Sequence, residues 1–166
     1  MTQIDTLILD CIDHGRQASS EELALIVAHV TQAPFASYQT KVPTQLRQLL
    51  TGKGFQLPAK LSSLEIHWLK RVNEEEQWSR ETTPAQYVAD LQQAVRHPDV
   101  QLWFYRYYGE PFAGFFSPSH VRGAKGIEAY IFVAYSPIHG TITTGYQASS
   151  IHTIFTDGYT DLKQQR

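Results

Sequence analysis

Apolar residues repeat every three or four positions through the first 95 residues, and every second position afterwards. A period of three to four marks a helix with one buried face, and a period of two marks a strand. "IDTLILDCIDHG" places Ile4, Leu7, Ile8 and Cys11 on one helical stripe, with Gly15 as the stop. "SSEELALIVAHVTQ" follows. Ser19 with Glu22 three residues on fits a capping box, and Leu23, Ile26, Val27 and Val30 form the stripe. "VPTQLRQLLTGKGF" predicts a short third helix from Pro43, with Leu46, Leu49 and Leu50 inward and Gly52 as its end. "SLEIHWLKRVNEEEQW" predicts a central helix from Ser63 to about Trp78, whose "NEEE" forms a solvated face. "TTPAQYVADLQQAVRH" predicts a further helix, capped by Thr82 or Thr83 with Pro84 in its first turn.

From Val100 the spacing changes. "VQLWFYRYY" reads as a strand, "GE" as its turn and "PFAGFFS" as the return. "IEAYIFVAYS" is the strongest strand in the chain, and "PIHG" turns it into "TITTGYQ". One more short strand is predicted around Ile151 to Phe155. Helices first and an antiparallel meander after them make an α+β fold. Its N-terminal helices precede an antiparallel sheet of four to five strands, and the helices pack on one sheet face. The expected division is a helical N-terminal extension, 1–58, and an α+β domain, 59–166, joined in one compact unit.

Composition narrows the function. The chain has 166 residues, 42% hydrophobic and 18% charged, which suits a folded globular protein rather than a disordered one. The formal net charge of −2 argues against a generic polyanion binder, although a small basic cleft is compatible with it. Cys11 is the single cysteine, so an intramolecular disulfide and a Cys-rich zinc site are both excluded. No apolar run approaches the ~18 residues of a membrane span. The first residues lack a signal-peptide pattern, so the expectation is a cytoplasmic protein without a membrane partner. No metal spacing joins the histidines and no nucleotide-binding glycine motif occurs. No metal and no cofactor are expected.

Two stretches carry candidate chemistry. His67 and Arg71, four apart, stack on one helix face. An imidazole is a ready base near neutral pH and a guanidinium binds phosphate in bidentate fashion. Spacing alone leaves open a plain surface histidine beside an arginine paired with Glu75. In "TITTGYQ", strict alternation puts Ile142, Thr144 and Tyr146 on one face, and Thr141, Thr143 and Gln147 on the other. Tyr146 can equally bury its ring and pair its hydroxyl. The loop "HVRGAKG" brings Arg122 and Lys125 near two glycines. It either holds an anion or is a surface loop.

Taken in order, "SLEIHWLKRV", "TTPAQYVADLQQAV", a strand pair and "IFVAYSPIHGTITTGYQ" resemble the barnase–EndoU–colicin–RelE superfamily of metal-independent ribonucleases, in its polymorphic-toxin form. The resemblance covers residues from about 60 to 150. In the hairpin it rests on Pro137, Gly140, Ile142, Thr144 and Tyr146. It implies that His67 is the general acid or base acting on a ribose 2′-hydroxyl. Arg71 would stabilise charge on the scissile phosphate, and Thr144 and Tyr146 would bind the phosphate or position the hydroxyl. Lys125 and Arg122 would add electrostatic help in substrate binding. The implied partner is RNA, with a protein inhibitor or a second copy of the chain as further candidates. The alternative is a catalytically inactive interaction or regulatory domain on the same fold. For that role Tyr105, Tyr107, Tyr108, Phe115 and Phe116 would form an exposed patch.

Overall fold

Both N-terminal helices begin where their capping residues place them. In the computed structural model, which describes residues 1–166, α1 spans Gln3–His14 and α2 spans Ser20–Thr31. Thr2 with Asp5, and Ser19 with Glu22, each form a complete capping box. That arrangement satisfies two orphan backbone donors reciprocally at each helix start. α3, Thr44–Gly52, lies between two short strands, β1 (Gln39–Lys41) and β2 (Lys60–Ser62), which pair antiparallel. α4 is Ser63–Leu69, and α5 is Pro84–Val95, capped by Thr83.

Five strands make the main sheet: β3 (Gln101–Tyr107), β4 (Glu110–Pro118), β5 (Tyr130–Ser136), β6 (Thr141–Ala148) and β7 (Tyr159–Gln164). Their spatial order is β6-β5-β4-β3-β7, every pairing antiparallel. This is the α+β arrangement of helices followed by an antiparallel sheet.

One sheet face packs on the helices. Ile8 and Cys11 of α1, Leu23, Ile26 and Val30 of α2, and Leu91 and Val95 of α5 meet Leu102, Phe104, Phe115, Ile131, Val133 and Ile142 in a single core. The first two helices therefore share their core with the sheet. A second contact ties them down. Tyr135 Oη donates to buried Asp5 at 2.6 Å, and His29 Nε2 lies 3.0 Å from the same hydroxyl. The opposite face carries a smaller aromatic cluster, Tyr105, Phe116 and Phe132, closed over by Ile154, Phe155 and Tyr159. Gly114 makes room for it: a Cβ there would stand 2.7 Å from the Tyr105 ring.

Four expectations need correction. The central helix does not run unbroken to Trp78. α4 ends at Leu69 and passes into a π-helical turn, Lys70–Glu74. The wider turn carries Arg71, Val72 and Asn73 inward together, so "NEEE" is not a solvated face: Asn73 is buried and the glutamates are half-buried. The predicted strand around Ile151 to Phe155 is a 3₁₀ turn, Ile151–Thr153, and the strand comes later, as β7. Ile151, Ile154 and Phe155 are spaced for a turn that caps an aromatic face, not for alternation. The aromatic patch is also split, because Tyr105, Phe115 and Phe116 are buried and only Tyr107 and Tyr108 are exposed.

The fourth correction concerns β6. Ala134 pairs with Thr144 but Tyr135 pairs with Ile142, so Thr143 is an inserted residue, a β-bulge. One extra residue reverses the alternation. Ile142 and Gly145 both face the helices, and Thr144 and Tyr146 face the opposite side. Gly145 lies under Leu91, where any Cβ would collide with the leucine side chain. Gly145→Ala is expected to lower stability by about 1–3 kcal/mol through overpacking. Thermal or urea unfolding checks this, and Leu91→Ala in the same chain should recover part of the loss specific to Gly145.

Candidate functional site

β6 is an edge strand, and its outward backbone groups are met by other elements. Ile142 pairs with the segment around Phe35: its N–H donates to Pro34 O at 2.9 Å, and its carbonyl accepts from Ala36 N at 2.8 Å. The Gly145 carbonyl accepts from Arg71 Nε at 2.8 Å and from Tyr87 Oη at 2.6 Å. Gln147 exchanges backbone bonds with the Gln77 side chain, at 2.8 and 2.9 Å. The edge is thereby closed to pairing with another chain.

The same closure assembles the predicted residues. α4 and the π turn stand beside β6, so His67 and Arg71 reach Thr144 and Tyr146 around the edge of the sheet. Thr144 Oγ1 lies 3.2 Å from His67 Nδ1 and accepts from Arg71 Nη2 at 3.0 Å. Arg71 Nη2 is 3.4 Å from His67 Nδ1. The Arg71 guanidinium lies 5.1 Å from the centre of the Tyr146 ring, within cation–π range. Two local pairs of side chains, more than 70 positions apart in sequence, are thus brought together. Arg122 and Lys125 do not join them. Both are exposed on the loop after β4, where Arg122 lies near Ser79, Arg80 and Glu81, and neither forms a hydrogen bond or ion pair with the four.

Arg71 is only 4% exposed, and each of its nitrogens is engaged: Nε with Gly145 O, Nη2 with Thr144, and Nη1 with Glu75 at 2.9 Å. The pairing with Glu75 that spacing left open is therefore present. A guanidinium held this way positions its neighbours and supplies positive charge, but has little freedom to fork around a phosphate.

His67 is neutral. Burial first, then the positive charges of Arg71 and Lys70, push its pKa down to about 3. Arg71 cannot accept a proton, so its approach to Nδ1 favours an unprotonated Nδ1 and places the ring proton on Nε2. Nε2 has no protein partner and is not sealed from solvent. Phe35 packs edge-on against the ring at 5.5 Å. Burial likewise raises the Tyr146 pKa, so its hydroxyl is a neutral donor at physiological pH. The Tyr87 pKa is pushed up to about 12, again chiefly by burial.

Sequence reasoning missed Gly145, Tyr87, Gln77 and Phe35. Nothing in the spacing marks them, because each acts on the backbone edge of β6 or on the His67 ring. No group of three or more His, Cys, Asp or Glu side chains is placed to hold a metal ion, and no helix is long and apolar enough to cross a membrane. The chain matches no family model, no curated protein and no solved structure.

Two outcomes test this geometry. Arg71→Ala strips Gly145 O and Thr144 of a charged donor and is expected to cost about 2–3 kcal/mol in urea unfolding. His67 gives stability a pH dependence. Its folded pKa lies near 3 and its unfolded pKa near 6.5, so below about pH 6.5 the unfolded chain binds a proton that the folded chain refuses. Stability is therefore expected to fall as pH drops from about 6.5 toward 3. Unfolding midpoints across that range should fall less steeply in His67→Asn, whose side-chain oxygen can replace Nδ1 as acceptor.

Proposed function

We propose that the chain is a metal-independent endoribonuclease-like domain that acts at His67. The observation carrying this reading is the contact of His67, on a helix, with Thr144, on a distant strand, beside an Arg71 guanidinium that also lies over the Tyr146 ring, around an imidazole whose Nε2 is free of protein partners. RNA supplies its own nucleophile, the 2′-hydroxyl, so the protein need supply only proton transfer and phosphate stabilisation. His67 Nε2 takes the 2′-hydroxyl proton as the 2′-oxygen attacks the phosphorus. The bond to the 5′-oxygen breaks, and that oxygen leaves with a proton from solvent. The products are a 2′,3′-cyclic phosphate and a 5′-hydroxyl. Tyr146 donates to a non-bridging phosphate oxygen. Arg71 is a positioning residue whose positive charge also favours the phosphate.

Nε2 acts as a base only in the tautomer that carries its proton on Nδ1. Thr144 makes both tautomers accessible. Its hydroxyl can give a hydrogen bond to Nδ1 or receive one from Nδ1–H across the same 3.2 Å. A phosphate anion near the ring offsets the charges of Arg71 and Lys70, which are two of the three causes of the low pKa, and so raises the basicity of His67 when substrate is bound.

The second reading, a catalytically inactive interaction domain, is favoured by one observation: every nitrogen of Arg71 is spent on holding the fold. RNA cleavage in EDTA separates the two. The parent is expected to leave cyclic phosphate ends, and His67→Ala to lose about 10²–10⁴-fold in rate. The acid limb of kcat/KM reports the free protein's base, whose pKa is near 3. Activity should therefore hold steady between about pH 5 and 7.5 rather than fall near the ordinary histidine value. Absence of cleavage across a panel of structured and unstructured RNAs would favour the inactive domain.

A further inference from the structure

A cleft of about 640 Å³ opens next to the His67 cluster. That volume lies within the ~300–1,000 Å³ of small-molecule sites. Ser37 and Tyr38 line one wall, Phe112 lines another, and Ser136, Thr141 and Thr143 belong to the hairpin. Its position is fixed by pairing. Thr141 pairs with Ser136, and Thr144 pairs with Ala134 two residues away on β5. Two residues along a strand cover about 7 Å. The wall containing Tyr38 continues directly from Phe35, whose ring packs on His67.

We propose that this cleft receives a nucleobase of single-stranded RNA, one nucleotide away from the phosphate held at His67, a subsite that rests on the ribonuclease reading. Three features support it. Tyr38 is 65% exposed, its hydroxyl is unbonded, and it stands opposite no aromatic partner in the protein. An exposed ring on the wall of the cleft is a stacking platform, which a base of any sequence can use. Hydrogen-bonding capacity is also left over. Thr141 Oγ1 is buried without a partner, and Ser136 Oγ accepts from His139 N at 3.2 Å while giving its own proton to no protein group. A buried hydroxyl without a partner costs stability, so a binding role would explain its retention. Finally, Glu110 lines the same cleft. Its negative charge repels a phosphate and leaves the cleft to the uncharged part of a nucleotide, with the phosphate on the Arg71 side.

The test pairs binding with cleavage. Binding is read by fluorescence anisotropy with a labelled 2′-O-methyl RNA pentamer, which lacks the attacking hydroxyl. Cleavage is read with the matching unmodified pentamer. Tyr38→Ala removes an exposed ring and should leave the fold intact. Thr141→Val removes only the unpartnered hydroxyl and should raise the unfolding midpoint. Both are expected to weaken pentamer binding, Tyr38→Ala by about tenfold or more, and to raise KM while kcat is retained. His67→Asn is expected to bind like the parent without cleaving. Parent-like binding and KM in both Tyr38→Ala and Thr141→Val would overturn the subsite and leave the ribonuclease reading standing. Binding that Tyr38→Ala weakens, with no cleavage by the parent, would support the subsite and overturn the catalysis. A parent that neither binds nor cleaves the pentamer overturns both.

Discussion

The outer edge of β6 carries main-chain groups that no sixth strand pairs. Leaving them bare would expose a template for another chain, and burying them unpaired would cost free energy at each group. Four parts of the chain meet this constraint, and much of the structure follows from it. The segment around Phe35 pairs with Ile142, Arg71 and Tyr87 share the Gly145 carbonyl, and Gln77 binds both backbone groups of Gln147. Arg71 reaches Gly145 from a π-helical turn, whose extra width brings three consecutive residues inward. π turns inside helices are often found at functional sites, where a side chain must be placed against the helical repeat.

That clamp and the candidate site are one arrangement. The guanidinium that seals the edge at Gly145 also holds the Thr144 hydroxyl against His67 and lies over the Tyr146 ring. An arginine serving the fold so completely has less to give a substrate, and the balance between these two demands is the central physical question of the molecule. Low basicity of His67 is the same question seen from the imidazole, since burial and the Arg71 charge that order the cluster also hold its ring neutral. Electrostatics allow a resolution: the anion that would bring the site into use is the species that cancels the positive charge.

Much of the fold was legible in the sequence because local chemistry decided it. Ser19 and Glu22, Thr83 and Pro84, and the continuous apolar run Tyr130–Ser136 each state their structure within a few residues. The meeting of His67, Arg71, Thr144 and Tyr146 was legible only through their order and spacing along the chain. The rest depended on events that leave little local trace. A single inserted residue, Thr143, reversed the faces of β6, and nothing in "TITTGYQ" distinguishes a bulge from strict alternation. The π turn is dictated by the carbonyl it must reach, not by helix propensity in "KRVNE". β7 contains Asp161, Lys163 and Gln164 and forms because β3 offers it an edge, so its sequence has no apolar alternation to read. Arg122 and Lys125 looked like substrate ligands because they are basic. The structure sets them apart from the His67 cluster, on a loop near the far end of β6.

The most direct measurement is the protonation of His67, by nitrogen-15 NMR of the ring, with and without a 2′-O-methyl RNA pentamer. In the free protein the expected signal is a neutral imidazole with its proton on Nε2. Saturation with the pentamer is expected to move the proton onto Nδ1 or to raise the His67 pKa toward neutrality. A ring that keeps the same tautomer and the same low pKa with RNA bound would contradict a base at His67 and leave the cluster as a structural clamp on the edge of the sheet.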